Sequence, residues 1–186
     1  IDAYRESLRI AQQTNNKRAE GISTGNLGAI YAAQGDHESA LAEYNRSLTL
    51  AKQTNDTEGI SHRLLNIGTL HHGQDELTQA ISFYQQSLQI ARDHQYLTLA
   101  AKALNNLGIA TAESDSYTDA IDYYEQSLTI AKTLDNPELI ASTLNNLGHA
   151  LLAAQRLDES EKRLREAITY LDELRLRLDD AAHISI

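Results

Sequence analysis

The chain has no cysteine, no tryptophan and no methionine, and only one proline and one phenylalanine in 186 residues. Without cysteine there is no disulfide, no thiolate nucleophile and no thiolate-bound zinc among them. A single proline leaves little to interrupt helices, and abundant Ala, Leu, Gln and Glu favour helix throughout. No apolar run approaches the roughly 18 residues that span a bilayer. Positive charge is also scarce: 16 Lys and Arg stand against 26 Asp and Glu, a formal net charge of −10. That balance disfavours nucleic-acid phosphates and anionic membrane surfaces, and its plain use is solubility.

Catalytic signatures are missing as well. The glycines lie inside helical patterns and form no phosphate-cradling loop before a lysine. Ser, His and Asp occur on helices without a strained turn to present a nucleophile. His62, His71 and His72 with Asp75 invite a metal reading, but adjacent helical residues point about 100° apart and no histidine pair stands at i,i+4. Tyr123-Tyr124 could suggest stacking on bases, yet Tyr124 belongs to an apolar stripe. The expectation is a non-enzyme with no cofactor, no metal, and neither nucleic acid nor membrane as partner.

What is present is a repeat. Asn26-Leu27-Gly28 returns as Asn66-Ile67-Gly68, Asn106-Leu107-Gly108 and Asn146-Leu147-Gly148, 40 residues apart each time. A fixed period between about 20 and 50 residues marks a stacked repeat architecture. The pattern predicts four helical hairpins. Their first (A) helices fall near 18–34, 58–74, 98–114 and 138–154, and their second (B) helices near 38–54, 78–94, 118–134 and 158–178. In the B helices, Leu41/Tyr44/Leu48/Ala51, Ile81/Tyr84/Leu88/Ala91 and Ile121/Tyr124/Leu128/Ala131 step by three and four, one stripe of a helix. Asn136-Pro137-Glu138 reads as a cap, a first-turn proline and a first-turn acid. Glycine costs about 1 kcal/mol against Ala inside a helix. Four at one phase suggest close helix contact, with Ala40, Ala80, Ala120 and Ser160 as the facing small residues.

The trio Gly28, Ala40 and Tyr44 returns as Gly68, Ala80 and Tyr84 and as Gly108, Ala120 and Tyr124. This spacing resembles the tetratricopeptide repeat, although the period here is longer than the usual one of about 34 residues. The resemblance implies an all-α fold, an α-solenoid of antiparallel helix hairpins forming a right-handed superhelix with A helices lining a concave groove. The implied divisions are 1–17, the second helix of a truncated repeat, then repeats at 18–57, 58–97, 98–137 and 138–178, the last with a polar, extended capping helix, and a junction at 179–186. Opening at Ile1 without an initiator Met, the chain is expected to be part of something longer, and self-association through exposed solenoid ends is expected of such a piece.

The resemblance also implies a protein or peptide partner held along the asparagines. An amide side chain offers donor and acceptor together, so the ladder can engage an extended backbone; it can equally brace neighbouring helices. The candidate groove residues are Asn26, Asn66, Asn105, Asn106, Asn145, Asn146, His62, Thr69, Lys102 and His149. The groove is largely neutral and lacks paired cations for a carboxylate, which suits a segment with small and aliphatic side chains. The tail Glu166-Ala-Ile-Thr-Tyr-Leu-Asp-Glu-Leu-Arg-Leu-Arg-Leu-Asp-Asp-Ala-Ala-His-Ile-Ser-Ile186 resembles the junction before the caspase-like CHAT domain of bacterial proteins with tandem repeats of this period. It implies a cytoplasmic, regulatory or recruiting arm for a downstream peptidase. Two further readings stand beside this: an adaptor similar to kinesin light chain or the Pins-like proteins, and a subdomain whose groove is filled by its own parent.

Overall fold

Every helix but the last ends on the same short turn. The computed structural model describes residues 2–184, with side chains through residue 176. The described residues form nine helices and no strand: α1 (Asp2–Gln13), α2 (Lys17–Ala33), α3 (His37–Gln53), α4 (Thr57–His72), α5 (Leu77–Asp93), α6 (Leu97–Glu113), α7 (Tyr117–Thr133), α8 (Pro137–Ala153) and α9 (Leu157–Ile184). The chain divides into two compact units, residues 1–99 and 100–186. In the first, α2 pairs with α3 and α4 with α5; in the second, α8 pairs with α9, and α7 packs on α8.

The turns recur at half the sequence period. Asn15, Gly35, Asn55, Asp75, Gln95, Asp115, Asp135 and Gln155 all have φ between 47° and 78°. Asn and Asp tolerate this left-handed region better than most residues, and glycine enters it freely. The next residue then donates its N–H to the carbonyl five back, as in Asp36 to Tyr31 (2.9 Å), Asp56 to Ala51 (2.9 Å) and Arg156 to Leu151 (2.9 Å). This is the Schellman arrangement, which satisfies carbonyls left over at a helix end. The same residue opens the following helix. The side chains of Asn16, Asp36, Asp56 and Asn136 accept from the N–H three residues on, at 3.0–3.1 Å. Glu76 and Ser116 occupy this place without a side-chain cap bond. Pro137 follows Asn136 at the start of α8, as its spacing predicts.

A tyrosine ring covers the glycine ladder in three hairpins, beside the small residues expected there: a Cβ on Gly68 would also lie 3.3 Å from the Ala80 carbonyl oxygen, and Ser160 bonds the Gly148 carbonyl. A Cβ on Gly28, Gly68 or Gly108 would lie 2.5–2.7 Å from the ring of Tyr44, Tyr84 or Tyr124, and one on Gly148 would lie 2.6 Å from Leu164. The ring lies against helix A, one turn beyond the alanine predicted there. Ala40, Ala80 and Ala120 are fully buried within the same hairpins. Leu48, Leu88 and Leu128 and Ala51, Ala91 and Ala131 are buried as their periodicity predicts.

A second ladder crosses each of the first three hairpins. Ser47, Ser87 and Ser127 donate from helix B to the carbonyls of Gly21 (2.5 Å), Ser61 (2.8 Å) and Ala101 (2.8 Å), each at the same sequence separation. The fourth hairpin has Ala167 at this phase, and there Ser160 donates to the Gly148 carbonyl (2.8 Å) instead. All these hydroxyls are buried, so each bond removes a desolvation penalty of about 1–3 kcal/mol that an unpaired group would carry.

The last helix departs from expectation. α9 continues to Ile184, beyond the predicted end at 178. Its outer face is not the polar cap expected, because Ile168 and Leu171 are 59% and 53% exposed. They stand at the phase of Leu128 and Ala131, which the core against α8 covers in the preceding repeat. At the other end Tyr4 and Ile10 are exposed, Leu8 is half-buried and Ala11 is buried. The side chains of the predicted junction at 179–186 lie outside the described residues.

Substituting Gly68→Ala is expected to lower stability by about 1–3 kcal/mol, because the added methyl overpacks Tyr84. That loss outweighs the gain of about 1 kcal/mol in helix propensity. A urea midpoint unchanged or raised against the parent would contradict the packing described.

Candidate functional site

In each A helix, one stripe stays accessible after the hairpins have formed. In the first unit it comprises Ile22, Asn26, Ala29 and Ala33 on α2, and His62, Asn66 and Thr69 on α4 with Gly73 just past its end. In the second it comprises Lys102, Asn106, Ile109 and Glu113 on α6, and Ser142, Asn146, His149 and Ala153 on α8. Steps of four, three and four residues keep each set on one helical face. Leu27, Ile67, Leu107 and Leu147, next to the asparagines, are buried. The stripe therefore sets a half-buried amide among small and polar neighbours and, at Ile22 and Ile109, aliphatic ones.

The ladder's members differ in what they bond. Asn105 Oδ1 accepts from Thr143 Oγ1 (3.3 Å) and from Asn146 Nδ2 (3.4 Å), linking α6 to α8. Among the described residues, the side-chain amides of Asn26, Asn66 and Asn106 make no hydrogen bond within the protein. Asn145 is exposed, as are His62, Thr69, Lys102 and His149. Thr69 returns its hydroxyl to the Leu65 carbonyl (3.1 Å), and His62 Nδ1 lies 2.6 Å from Arg63 Nη1.

Cavities open beside two of these asparagines at corresponding places. One, of about 250 Å³, is lined by Ala32, His37, Tyr44, Asn66, Thr69, Leu70 and Gly73. The other, of about 330 Å³, is lined by Ile109, Ala112, Glu113, Tyr117, Tyr124, Asn146, His149 and Ala150. Two periods on from Ala32, His37, Tyr44, Asn66, Thr69 and Leu70 stand Ala112, Tyr117, Tyr124, Asn146, His149 and Ala150, all in the second cavity. The repeat thus builds the same recess twice and changes its lining. Such volumes lie near the small end of ligand sites, about 300 Å³, and suit single side chains. His37 Nδ1 is buried and has no partner among the described residues. Burial pushes the Tyr124 hydroxyl up strongly, with the Glu113 carboxylate adding to it, so it remains a neutral donor.

Arg63 is the residue that sequence reasoning missed. It lies on α4 with only 8% of its surface exposed, and its guanidinium covers Gly25, where a Cβ would meet it at 2.5 Å. Nε donates to Ser47 Oγ at 2.6 Å. Burial pulls the guanidinium's pKa down, while Asp56 and Tyr44 oppose that effect. It also lines a third cavity of about 330 Å³ with Arg18, Asp56, Glu58 and His62. A signal existed in the sequence: position 25 is glycine where the other copies have Leu65, Asn105 and Asn145, and position 63 is arginine where they have Ser23, Ala103 and Thr143.

The histidines singled out for metal have other contacts. His71 Nδ1 meets Glu76 Oε2 at 2.5 Å and its ring stacks on Phe83 at 5.2 Å. Among the described residues, no group of three or more His, Cys, Asp or Glu is placed to hold a metal ion. No helix of the described residues is long and apolar enough to cross a membrane.

The tetratricopeptide repeat profile matches residues 1–53, 21–93, 59–133 and 99–173 in overlapping pairs, which together cover most of the chain. The chain belongs to the tetratricopeptide repeat family. Solved structures agree in fold. BtubC (BKLC) from P. vanneervenii aligns over 92% of this chain and 72% of its own, at 20% identity and a TM-score of 0.83. RapI in its apo form aligns over 97% of this chain and 66% of its own, just under two thirds, at 16% identity and a TM-score of 0.86. A Podosopora anserina protein described as a kinesin light chain with nearly identical TPR-like repeats aligns over 93% and 86%, at 15% identity and a TM-score of 0.70. At these identities the likeness is one of fold. No curated protein matched the sequence. The tetratricopeptide fold is typical of protein-interaction scaffolds.

Two substitutions separate bracing from availability. Asn105→Ala is expected to cost about 0.5–1.5 kcal/mol, since it removes an acceptor shared by two donors. Asn106→Ala should stay within about 0.5 kcal/mol of the parent. Equal losses in chemical denaturation would refute the division. Gly25→Ala should destabilise by about 1–3 kcal/mol through overpacking, and much less in an Arg63→Ala background, a coupling that a double-mutant cycle measures.

Proposed function

We propose that this chain is a non-catalytic interaction scaffold that holds a peptide or partner segment along its accessible A-helix stripes. The observation that carries the reading is the set of unbonded amides at Asn26, Asn66 and Asn106, with side-chain-sized recesses beside Asn66 and Asn146. An amide can donate to one peptide carbonyl and accept from one N–H, so the ladder engages main chain while the recesses take side chains. That division of labour is how extended segments are commonly recognised. Asn105 falls to the bracing side of the ladder, and Asn145, His62, Thr69, Lys102 and His149 to its rim.

Within this reading the chain serves as the regulatory or recruiting arm of a larger bacterial protein. The resemblance of residues 166–186 to a CHAT-domain junction supports that finer role. A kinesin-light-chain-like adaptor is the second reading, favoured by the fold likeness to the Podosopora anserina protein.

A displayed library of random linear peptides, selected against the full chain, tests the scaffold reading. Selected peptides should lose about tenfold or more in affinity, measured by fluorescence anisotropy, when Asn66→Ala and Asn146→Ala are combined. Thermal melts of the variant should stay close to the parent. Failure to enrich any peptide, or affinity indifferent to both asparagines, would sink the proposal.

A further inference from the structure

The two recesses share a frame and differ in how far their polar groups are already engaged. Beside Asn146, Tyr117 donates its hydroxyl to Asp115 Oδ1 (2.6 Å), and Asn146 Nδ2 donates to Asn105 Oδ1 (3.4 Å). Beside Asn66, His37 and Tyr44 stand at the phases of Tyr117 and Tyr124. Among the described residues, neither ring nitrogen of His37 nor the Tyr44 hydroxyl makes a hydrogen bond. We propose that the recess beside Asn66 receives a primary amide, the side chain of an asparagine or glutamine in the bound segment. The inference rests on the scaffold reading above and names the chemistry of one of its subsites.

The missing partner of Tyr44 has a cause in the sequence. In the second copy, Tyr84 donates its hydroxyl to Thr69 Oγ1 (3.4 Å) within the hairpin. The first copy carries Ala29 at the phase of Thr69, so the Tyr44 ring still covers Gly28 while its hydroxyl has nothing there to bond. Only 4% of Tyr44 is exposed, and the recess is the space it lines. Burial holds the hydroxyl above its ordinary range, against the pull of the Arg63 guanidinium, so it stays neutral. His37 Nδ1 is covered, which leaves Nε2 as the atom its ring presents.

A hydroxyl and a neutral imidazole each donate or accept, and an amide carries a donor and an acceptor side by side. One amide therefore satisfies both groups at once, while Ala32 and Leu70 give its methylene stem apolar walls. An aliphatic side chain would strip water from the two groups and leave them unpaired, which is costly. A charged side chain would meet no counter-charge, because no Asp, Glu, Lys or Arg lines the recess. Asp36 and Arg63, whose charges reach His37 and Tyr44, are engaged elsewhere. Asp36 accepts from the Ser39 N–H (3.1 Å), and the Arg63 guanidinium bonds Ser47 and His62. Thr69 is held by the Leu65 carbonyl, and Asn66 keeps its amide for the segment's main chain.

The same peptide selection tests this with different readouts. Selected peptides should carry Asn or Gln at one fixed position. Replacing that residue by an apolar counterpart, norleucine for glutamine or leucine for asparagine, should weaken binding about tenfold or more, the loss of two hydrogen bonds. The matching acid should bind no better than the apolar residue. Tyr44→Phe keeps the ring over Gly28 and removes only the unbonded hydroxyl, so its circular dichroism melt should stay close to the parent. It should cut the amide preference to about threefold, and Tyr44→Phe combined with His37→Phe should abolish it. If the double variant does not fold, Tyr44→Phe alone decides. Three outcomes overturn the inference and spare the scaffold reading: peptides that depend on Asn66 and Asn146 but carry no fixed amide, an acid that binds as well as the amide, or an amide preference undiminished in Tyr44→Phe. If no peptide is enriched, or none depends on the asparagines, both fail together.

Discussion

The residue after each left-handed turn position serves two helices. Its N–H closes the helix behind by bonding a carbonyl five residues back, and it stands as the cap of the helix ahead. With both jobs on one residue, the connection cannot lengthen without releasing one of them. Helices α2 to α8 are therefore nearly equal in length, as are the connections between them, and the turn returns on a regular beat. The sequence period is two such beats, one with a glycine on the inner face and one with a tyrosine. Helix packing inherits its phase from this beat: the ring settles over the glycine, and the serine of helix B reaches the same carbonyl phase in three successive hairpins.

The accessible stripe is a by-product of that phase. Leucine or isoleucine after each asparagine is drawn into the core, and glycine after it is covered by a side chain of helix B, so the asparagine is left at the boundary. Where a tyrosine edge, the end of one A helix and the side of the next converge, the close packing leaves a recess. Its frame is dictated by the repeat, whereas its lining is free to vary. His37, Thr69 and Gly73 at one place, against Tyr117, His149 and Glu113 at the other, show how far a shared frame can be made to differ.

Much of this was legible beforehand. The sequence period, the B-helix stripes, the burial of Tyr124 and the cap at Asn136 are local or periodic properties, and sequence reports such properties directly. The half-period is hidden in the sequence because Asn, Gly, Asp and Gln all supply the left-handed residue, so no single letter marks it. Spacing alone does not show that a tyrosine joins the small residue at the glycine, because Ala40 and Tyr44 lie one turn apart on the same face of helix B and only the tilt of the pair decides how closely each meets it. Ser47, Ser87 and Ser127 were visible as a ladder but unremarkable, since a serine's identity does not say whether its hydroxyl is covered. Asn105 could not be told from Asn106 by spacing: one residue of rotation turns an amide from an open face toward the neighbouring helix.

Arg63 covering Gly25 has a consequence for the order of the copies. At the matching seam in the second unit, Asn105 meets Thr143 and Asn146, side chains of modest size. At the first seam a large charged side chain fits only because its neighbour has no side chain at all. The second copy therefore carries an address, valid only behind the first. Placed behind the third, it would meet Asn105 where it needs glycine. An array that looks like four interchangeable tiles is in this respect a sentence with fixed word order, and recombination that shuffled its units would be punished at this seam above all.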